Sequence, residues 1–276
     1  MKKTFTLFAL LLMTLAAAAQ SYKTLENIPY HTGTGNAYAD ERCKLDFYYP
    51  TDKENFPVAV FFHGGGLTSG EKYLPAELLE SGIGIVTVNY RLLLKAELPD
   101  IIDDAAAAVA WTFKNIGQYG GNVQRIYVSG HSAGGYLTDM IGLDKKWLAK
   151  YDVDADSICA LFPFSGQVIT HFALREQRGI KNTTPLVDEW APLFHIRPDA
   201  PPIVIISADR EMEMLGRYEE TAYFWRMLKV CGHKNVHMYE VQGFNHGNMA
   251  SPAALIMKRY ILSMERGRWP AREAAF

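Results

Sequence analysis

Three glycine-flanked stretches of this 276-residue chain hold the residues best suited to nucleophilic chemistry. In RIYVSGHSAGGY, Ser132 stands between Gly130 and Gly134, after an apolar run and before a helical pattern. A tight strand-to-helix turn needs such small neighbours; it lifts a hydroxyl into the open and aims helix N-terminal amides at it. In FFHGGGL, His63 precedes Gly64, Gly65 and Gly66 just past another apolar run. Consecutive glycines let backbone N–H groups turn toward a developing negative charge with no side chain in the way. In GFNHGNM, His246 follows the last strand-like run, where a general base can reach a serine. The other seven histidines are less well placed. His31 precedes the sheet, His63 and His131 sit inside the glycine motifs, and His171, His195, His233 and His237 fall in irregular, helix-end or strand positions.

These stretches must be held by regular elements, and the chain alternates between two kinds of pattern. Strand-like runs are LDFYYP (45–50), PVAVFFH (57–63), IGIVTVNY (83–90), RIYVSG (125–130), SICALFPF (157–164), PPIVIISA (201–208) and VHMYEVQ (236–242). Several are apolar almost throughout, as strands buried on both faces are. Between them, YLPAELLESG, PDIIDDAAAAVAWTFKNIG, AGGYLTDMIGLD and GRYEETAYFWRMLKVCG carry apolar residues at helical spacing, and a last helix is expected from about Ser251 to Met264. The alternation predicts an α/β fold with a mostly parallel sheet. No repeat or linker divides the chain, so residues 20–276 are expected to form one domain. Residues 165–200, rich in turn formers and weak in periodicity, read as a short cap-like insertion.

The first residues, MKKTFTLFALLLMTLAAAAQ, have a basic start, an apolar run and small residues ending at Ala19. That is the layout of a cleavable signal peptide over 1–19, and the run is short of the ~20 apolar residues a membrane anchor needs. Cleavage would leave Gln20 first and send the mature protein to the periplasm or outside the cell. With 28 basic and 30 acidic residues the net charge is −2, and Lys2 and Lys3 would leave with the leader. A nucleic-acid partner calls for a basic excess and is not expected. Cys43, Cys159 and Cys231 form an odd set without metal-ligand spacing. Tyr38 stands where GTGNAY would need its third glycine, and no phosphate-binding GxxxxGK[ST] occurs. No metal and no cofactor are expected.

Taken together, HGGG at 63–66, GHSAGG at 130–135 and the late His246 resemble the α/β-hydrolase superfamily. The likeness is closest to its esterase and lipase branch, which includes hormone-sensitive-lipase-like and feruloyl- or acetyl-esterase-like enzymes. The resemblance implies an α/β-hydrolase fold with helices on both sheet faces, and a serine carboxylic-ester hydrolase working through an acyl-enzyme. Ser132 would be the nucleophile, His246 the base, and Gly65, Gly66 and Ala133 the oxyanion hole. The orienting acid should follow PPIVIIS, where ISADREME offers Asp209, Glu211 and Glu213. In the family the acid usually stands three positions after a small residue at the strand end, which from Ala208 points to Glu211, with Asp209 as the alternative. Glu213 is expected to face solvent near the next helix, where the dipole favours a carboxylate.

Only about 43 residues lie between the expected cleavage point and His63. That is too few for the helical N-terminal cap of the hormone-sensitive-lipase-like members, so acylated carbohydrates or small aryl and acetyl esters are the expected substrates. An amidase or peptidase of the same fold is an alternative, although its prolyl-peptidase relatives carry a large extra domain for which this chain has no room. The alternative from another class, a catalytically silent binding protein, is disfavoured because every part of the constellation is present.

Overall fold

A computed structural model describes residues 21–31, 35–214 and 216–267. The expected signal peptide lies outside the described residues. Among these residues eight strands form one sheet: β1 (Tyr22–Pro29), β2 (Lys44–Pro50), β3 (Phe56–Phe62), β4 (Gly84–Val88), β5 (Gly121–His131), β6 (Ala160–Phe164), β7 (Ile203–Ala208) and β8 (Val236–Val241). Their order across the sheet is β1-β2-β4-β3-β5-β6-β7-β8. β1 and β2 pair antiparallel, as do β2 and β4, and all later pairings are parallel.

Among the described residues there are seven helices: α1 (Ala37–Arg42), α2 (Leu98–Asn115), α3 (Ala133–Leu143), α4 (Lys146–Ala149), α5 (Phe172–Gln177), α6 (Arg217–Val230) and α7 (Ala250–Met264). Along β3 the side chains alternate between two cores, as the two-residue period of a strand requires. Val58, Val60 and Phe62 pack with α2, α3 and α6, whereas Ala59 and Phe61 face α7 on the other side. All seven residues of β3 are buried, which explains why it reads as an unbroken apolar run. The Ala-rich α2 starts with a Glu97–Asp100 capping box and a proline in its first turn, and its small side chains bring it close to the sheet.

Three differences from the sequence reading have local causes. β1, YKTLENIP, has only scattered apolar residues and exists because its backbone pairs with β2, from Tyr22 opposite Pro50 to Pro29 opposite Lys44. Helix α1 is short, and the Asn36 side chain caps it by accepting from Tyr38 N and Ala39 N. The helix expected over YLPAELLESG is only a 3-10 turn, Ala76–Leu78, hemmed by extended Pro75 and Leu79. Glu80 at φ 51° and Gly82 at φ 75° then turn the chain back into β4.

Parallel pairing brings the ends of β3, β5, β7 and β8 to one edge. Phe62 is in register with Gly130, and Ala208 with Val241. The segment 165–200 covers this edge beside α3: Gly166 packs on Gly135, and Trp190 O accepts a 2.8 Å bond from Tyr136 Oη. The closest approach is at the β5–α3 turn. A Cβ on Gly134 would sit 2.1 Å from the Phe62 carbonyl oxygen, and one on Gly130 would lie 2.4 Å from the Gly134 carbonyl carbon. At Gly117 a Cβ would meet nothing nearer than 3.8 Å. Gly134→Ala is therefore expected to cost about 1–3 kcal/mol or more through overpacking, and Gly117→Ala close to nothing. Urea unfolding of the two variants checks this, and equal midpoints would contradict it.

Candidate active site

Ser132 occupies the turn between β5 and α3 at φ 56°, ψ −113°. A non-glycine residue there is strained and persists only where its surroundings over-determine it. They do so here: Ser132 N donates to Phe164 O at 2.8 Å, its own carbonyl accepts from Tyr136 N at 3.0 Å, and two glycines remove the clashes. The side chain points away from the helix, and Oγ lies 2.8 Å from His246 Nε2.

His246 sits in the loop after β8. The Asn245 side chain caps that loop by accepting from Gly247 N and Asn248 N, each at 3.0 Å. Its Nδ1 lies 2.5 Å from Glu213 Oε1. With Nδ1 donating to that carboxylate, Nε2 is left as the acceptor for the serine proton. The carboxylate on the imidazole is thus Glu213, and the expectation for Glu211, with Asp209 as alternative, is corrected. The reason is the shape of the turn: Asp209 O accepts from both Met212 N and Glu213 N, so the chain winds tightly and brings residue 213 back over the strand end. Glu211 is left exposed. Asp209 works as a brace, Oδ1 accepting from Glu211 N at 3.0 Å and Oδ2 from Gly243 N at 2.8 Å, which ties the acid loop to the histidine loop.

Glu213 does not face solvent as expected either; its side chain is 1% exposed. Oε1 also accepts from Met214 N at 2.8 Å, and Oε2 accepts from Ser165 Oγ at 2.5 Å and Ala208 N at 3.4 Å. Burial pushes the carboxyl's pKa up, but the bonds from His246 and Ser165 outweigh it and hold the pKa down at about 2.

The glycine loop lies against this pair. A Cβ on Gly64 would stand 3.4 Å from Ser132 Cβ. Gly65 at φ 112° and Gly66 at φ 64° take conformations open to glycine, and Gly65 O accepts from Thr68 N and Ser69 N to close the turn. Among the described residues the N–H groups of Gly65 and Gly66 make no backbone bond, and Ala133 N begins α3, where no intrahelical acceptor exists. His63 is buried, stacked on Tyr90 with centroids 4.3 Å apart, and its carbonyl accepts from Tyr90 Oη at 2.7 Å. It anchors the loop rather than facing the serine.

A model of the BD-FAE family matches residues 45–161, from β2 through the glycine loop and the serine turn into β6. Carboxylesterase NlhH of Mycobacterium tuberculosis is 35% identical over 97 residues, 33% of this chain and 30% of that protein. A solved "truncated form of carbohydrate esterase from gut microbiota" superposes with a TM-score of 0.74 at 18% identity, covering 91% of this chain and 99% of its own. The fold is that of the α/β-hydrolases, and these matches support the esterase/lipase superfamily. A hyperthermophilic esterase from Pyrobaculum calidifontis shares the fold at TM-score 0.68 and 21% identity, over 89% of this chain and 86% of that one. The matched stretch spans 24% to 30% of the length of the first curated relatives.

Within this hydrolase fold, two further residues shape the site. His131, beside the serine, donates from Nε2 to His246 O at 2.7 Å and so fixes the histidine loop. Ser165, at φ 46°, places its hydroxyl on Glu213 and offers its carbonyl to Arg217 Nη1 at 2.6 Å. Neither role has a signal in the local sequence beyond His131 lying inside the glycine motif. One potential ligand cluster, His31, Cys43 and Asp104, has atoms within 4.8 Å of one another. Asp104 already accepts from Arg91 Nε and Nη2, and burial pushes the Cys43 thiol up to about 12, so a metal there would have to displace a guanidinium. The three cysteines are unpaired.

Burial also sets the protein's acid sensitivity. It lowers His63 to about 4, with Arg42 adding to the effect, and His131 to about 4, with His246 adding. Burial and two arginines hold His171 well below 6.5. A histidine kept neutral in the fold takes its proton sooner when unfolded, so its contribution to stability is lost as pH falls from about 6.5 toward 4. Glu220, raised by burial to about 7, works in the opposite sense between 7 and 4.5. Three groups against one predict a urea midpoint that drops from pH 7 to 4.5, and further below 4.5 as Glu213 is protonated. A flat midpoint between pH 7 and 4.5 would contradict this balance.

Proposed function

We propose that the protein is an exported serine carboxylic-ester hydrolase that works through an acyl-enzyme. The observation that carries the proposal is the continuous line from Ser132 Oγ through His246 to a saturated, ionised Glu213, with the Gly64–Gly66 loop alongside. Ser132 attacks the ester carbonyl while His246 Nε2 takes its proton and Glu213 holds the imidazolium through Nδ1. The N–H groups of Gly65, Gly66 and Ala133 receive the oxyanion, each donor being worth about 3 kcal/mol in known holes. His246 then returns the proton to the leaving alcohol, and water repeats the sequence on the acyl-enzyme.

Acylated carbohydrates or small aryl and acetyl esters are the substrates we favour. Support comes from the short covering segment at 165–200, from the carboxylesterase name of one relative, and from the carbohydrate esterase title of one structural neighbour. Export is supported by the Lys2-Lys3 start and the apolar run ending at Ala19. No helix among the described residues is long and apolar enough to cross a membrane.

Turnover of 4-nitrophenyl acetate tests the chemistry. Ser132→Ala should abolish it, Glu213→Gln should lower kcat by a factor on the order of 10² to 10⁴, and Glu211→Gln should keep the wild-type rate. Loss in Glu211→Gln with retention in Glu213→Gln would reverse the assignment. N-terminal sequencing of protein recovered from the periplasm or medium should begin at Gln20; an intact Met1 would remove the export reading.

A further inference from the structure

Beside the triad lies a cavity of about 840 Å³, within the size range of ligand pockets. Glu213 belongs to both its wall and the triad. Phe172, also on the wall, lies against the glycine loop, its ring 3.0 Å from where a Gly66 Cβ would be. Ser132 and His246 do not line it; Phe172 and Glu213 are the residues it shares with the surroundings of the nucleophile. Ile169, Phe172, Pro185 and Met214 give it apolar sides, and two arginines, Arg175 and Arg217, stand in its wall, 2% and 3% exposed.

Bracing accounts for part of each guanidinium. Arg175 donates from Nε to Thr170 O at 3.0 Å and from Nη1 to the carbonyls of Asn182 and Thr184, which ties down the covering segment. Arg217 donates from Nη1 to Ser165 O, and its Nε lies 2.8 Å from Glu220 Oε1. Among the described residues Nη2 of either arginine has no acceptor, and neither atom is sealed from solvent, unlike Arg217 Nε. The acids on the wall do not use these donors. Both oxygens of Glu213 are taken up by His246, Ser165 and backbone amides, and Glu220, whose carboxyl burial pushes up to about 7, faces Arg217 at Nε. Two nearly buried guanidiniums in one cavity wall, each with an Nη2 donor to spare, suit an anion that joins them.

We infer that this cavity is an anion subsite, in which Arg175 and Arg217 receive a carboxylate carried by the ester substrate on its acyl or its alcohol part. The inference rests on the ester-hydrolase reading above and narrows its substrate class to acidic esters. Guanidinium forks suit a planar carboxylate, and the apolar sides accommodate the chain or ring that bears it.

Initial rates in a pH-stat at pH 7.5 test it in two arms. The acyl arm compares methyl hydrogen succinate with methyl butyrate; the alcohol arm compares an acetylated methyl glucuronide with the acetylated methyl glucoside. We expect kcat/KM for the charged member of at least one arm to exceed its neutral partner about tenfold or more, and the excess to shrink in about 0.5 M NaCl as screening requires. In Arg175→Gln and Arg217→Gln the ratio should fall toward one, and in Arg175→Lys part of it should survive. If a variant fails to fold, the wild-type ratio still decides. Wild-type protein that hydrolyses the neutral esters with a ratio of one or less in both arms would overturn the subsite and leave the hydrolase reading standing. Wild type no faster than Ser132→Ala on all four esters would take down both.

Discussion

Ser132 is held in a backbone conformation that an L-residue resists, φ 56° with ψ −113°, and the neighbouring structure is arranged to keep it there. The turn works only because Gly130 and Gly134 let the β5–α3 junction press onto the end of β3, with Gly134 against the Phe62 carbonyl. That contact sets the level of the glycine loop, since Phe62 and Gly130 share a register in adjacent parallel strands. The same contact exposes the serine hydroxyl at the sheet edge, where the loops after β7 and β8 arrive. Burial of α3 along all 11 residues locks the junction in place, so the strain is borne by packing and not by the loop itself.

A second constraint is electrostatic. A carboxylate as buried as Glu213 would normally be driven to protonate, yet it meets a hydroxyl, an imidazole N–H and two backbone amides, and it stays ionised far below neutrality. Two histidines around the triad add no charge of their own. His131 and His63 are kept neutral by burial while bracing the histidine loop and the glycine loop. Three histidines close to one another in sequence motif or space thus divide into one placed on the serine and two that hold loops. The division follows from which ring reaches the Ser132 hydroxyl and which rings are closed in by carbonyls.

Much of the architecture is legible along the chain because each signal is local. The apolar runs of β3, β4 and β7 mark strands buried on both faces, and the Ala-rich stretch marks the long helix α2. Glycine spacing marks the serine turn and its facing loop, since a tight approach of backbones needs residues without side chains. Elements whose stability comes from a partner are not legible in this way. β1 gains its order from β2, and the 73–82 stretch loses its helix to the turns that feed β4.

In the segment ISADREME the sequence by itself determined that a carboxylate would stand at the end of β7, within reach of a late histidine. Which of the three it is depended on the winding of the turn, where Asp209 O accepts from residues 212 and 213 and Asp209 itself is taken up by Gly243 N. Spacing counted along the chain assumes a loop of one shape, and a single extra turn of backbone moves the useful side chain by two positions. Likewise, Arg175 and Arg217 are ordinary surface-like residues in the sequence, 42 positions apart. Tertiary structure alone brought them into one cavity beside Glu213, because the covering segment and the start of α6 meet only when both fold over the same edge of the sheet.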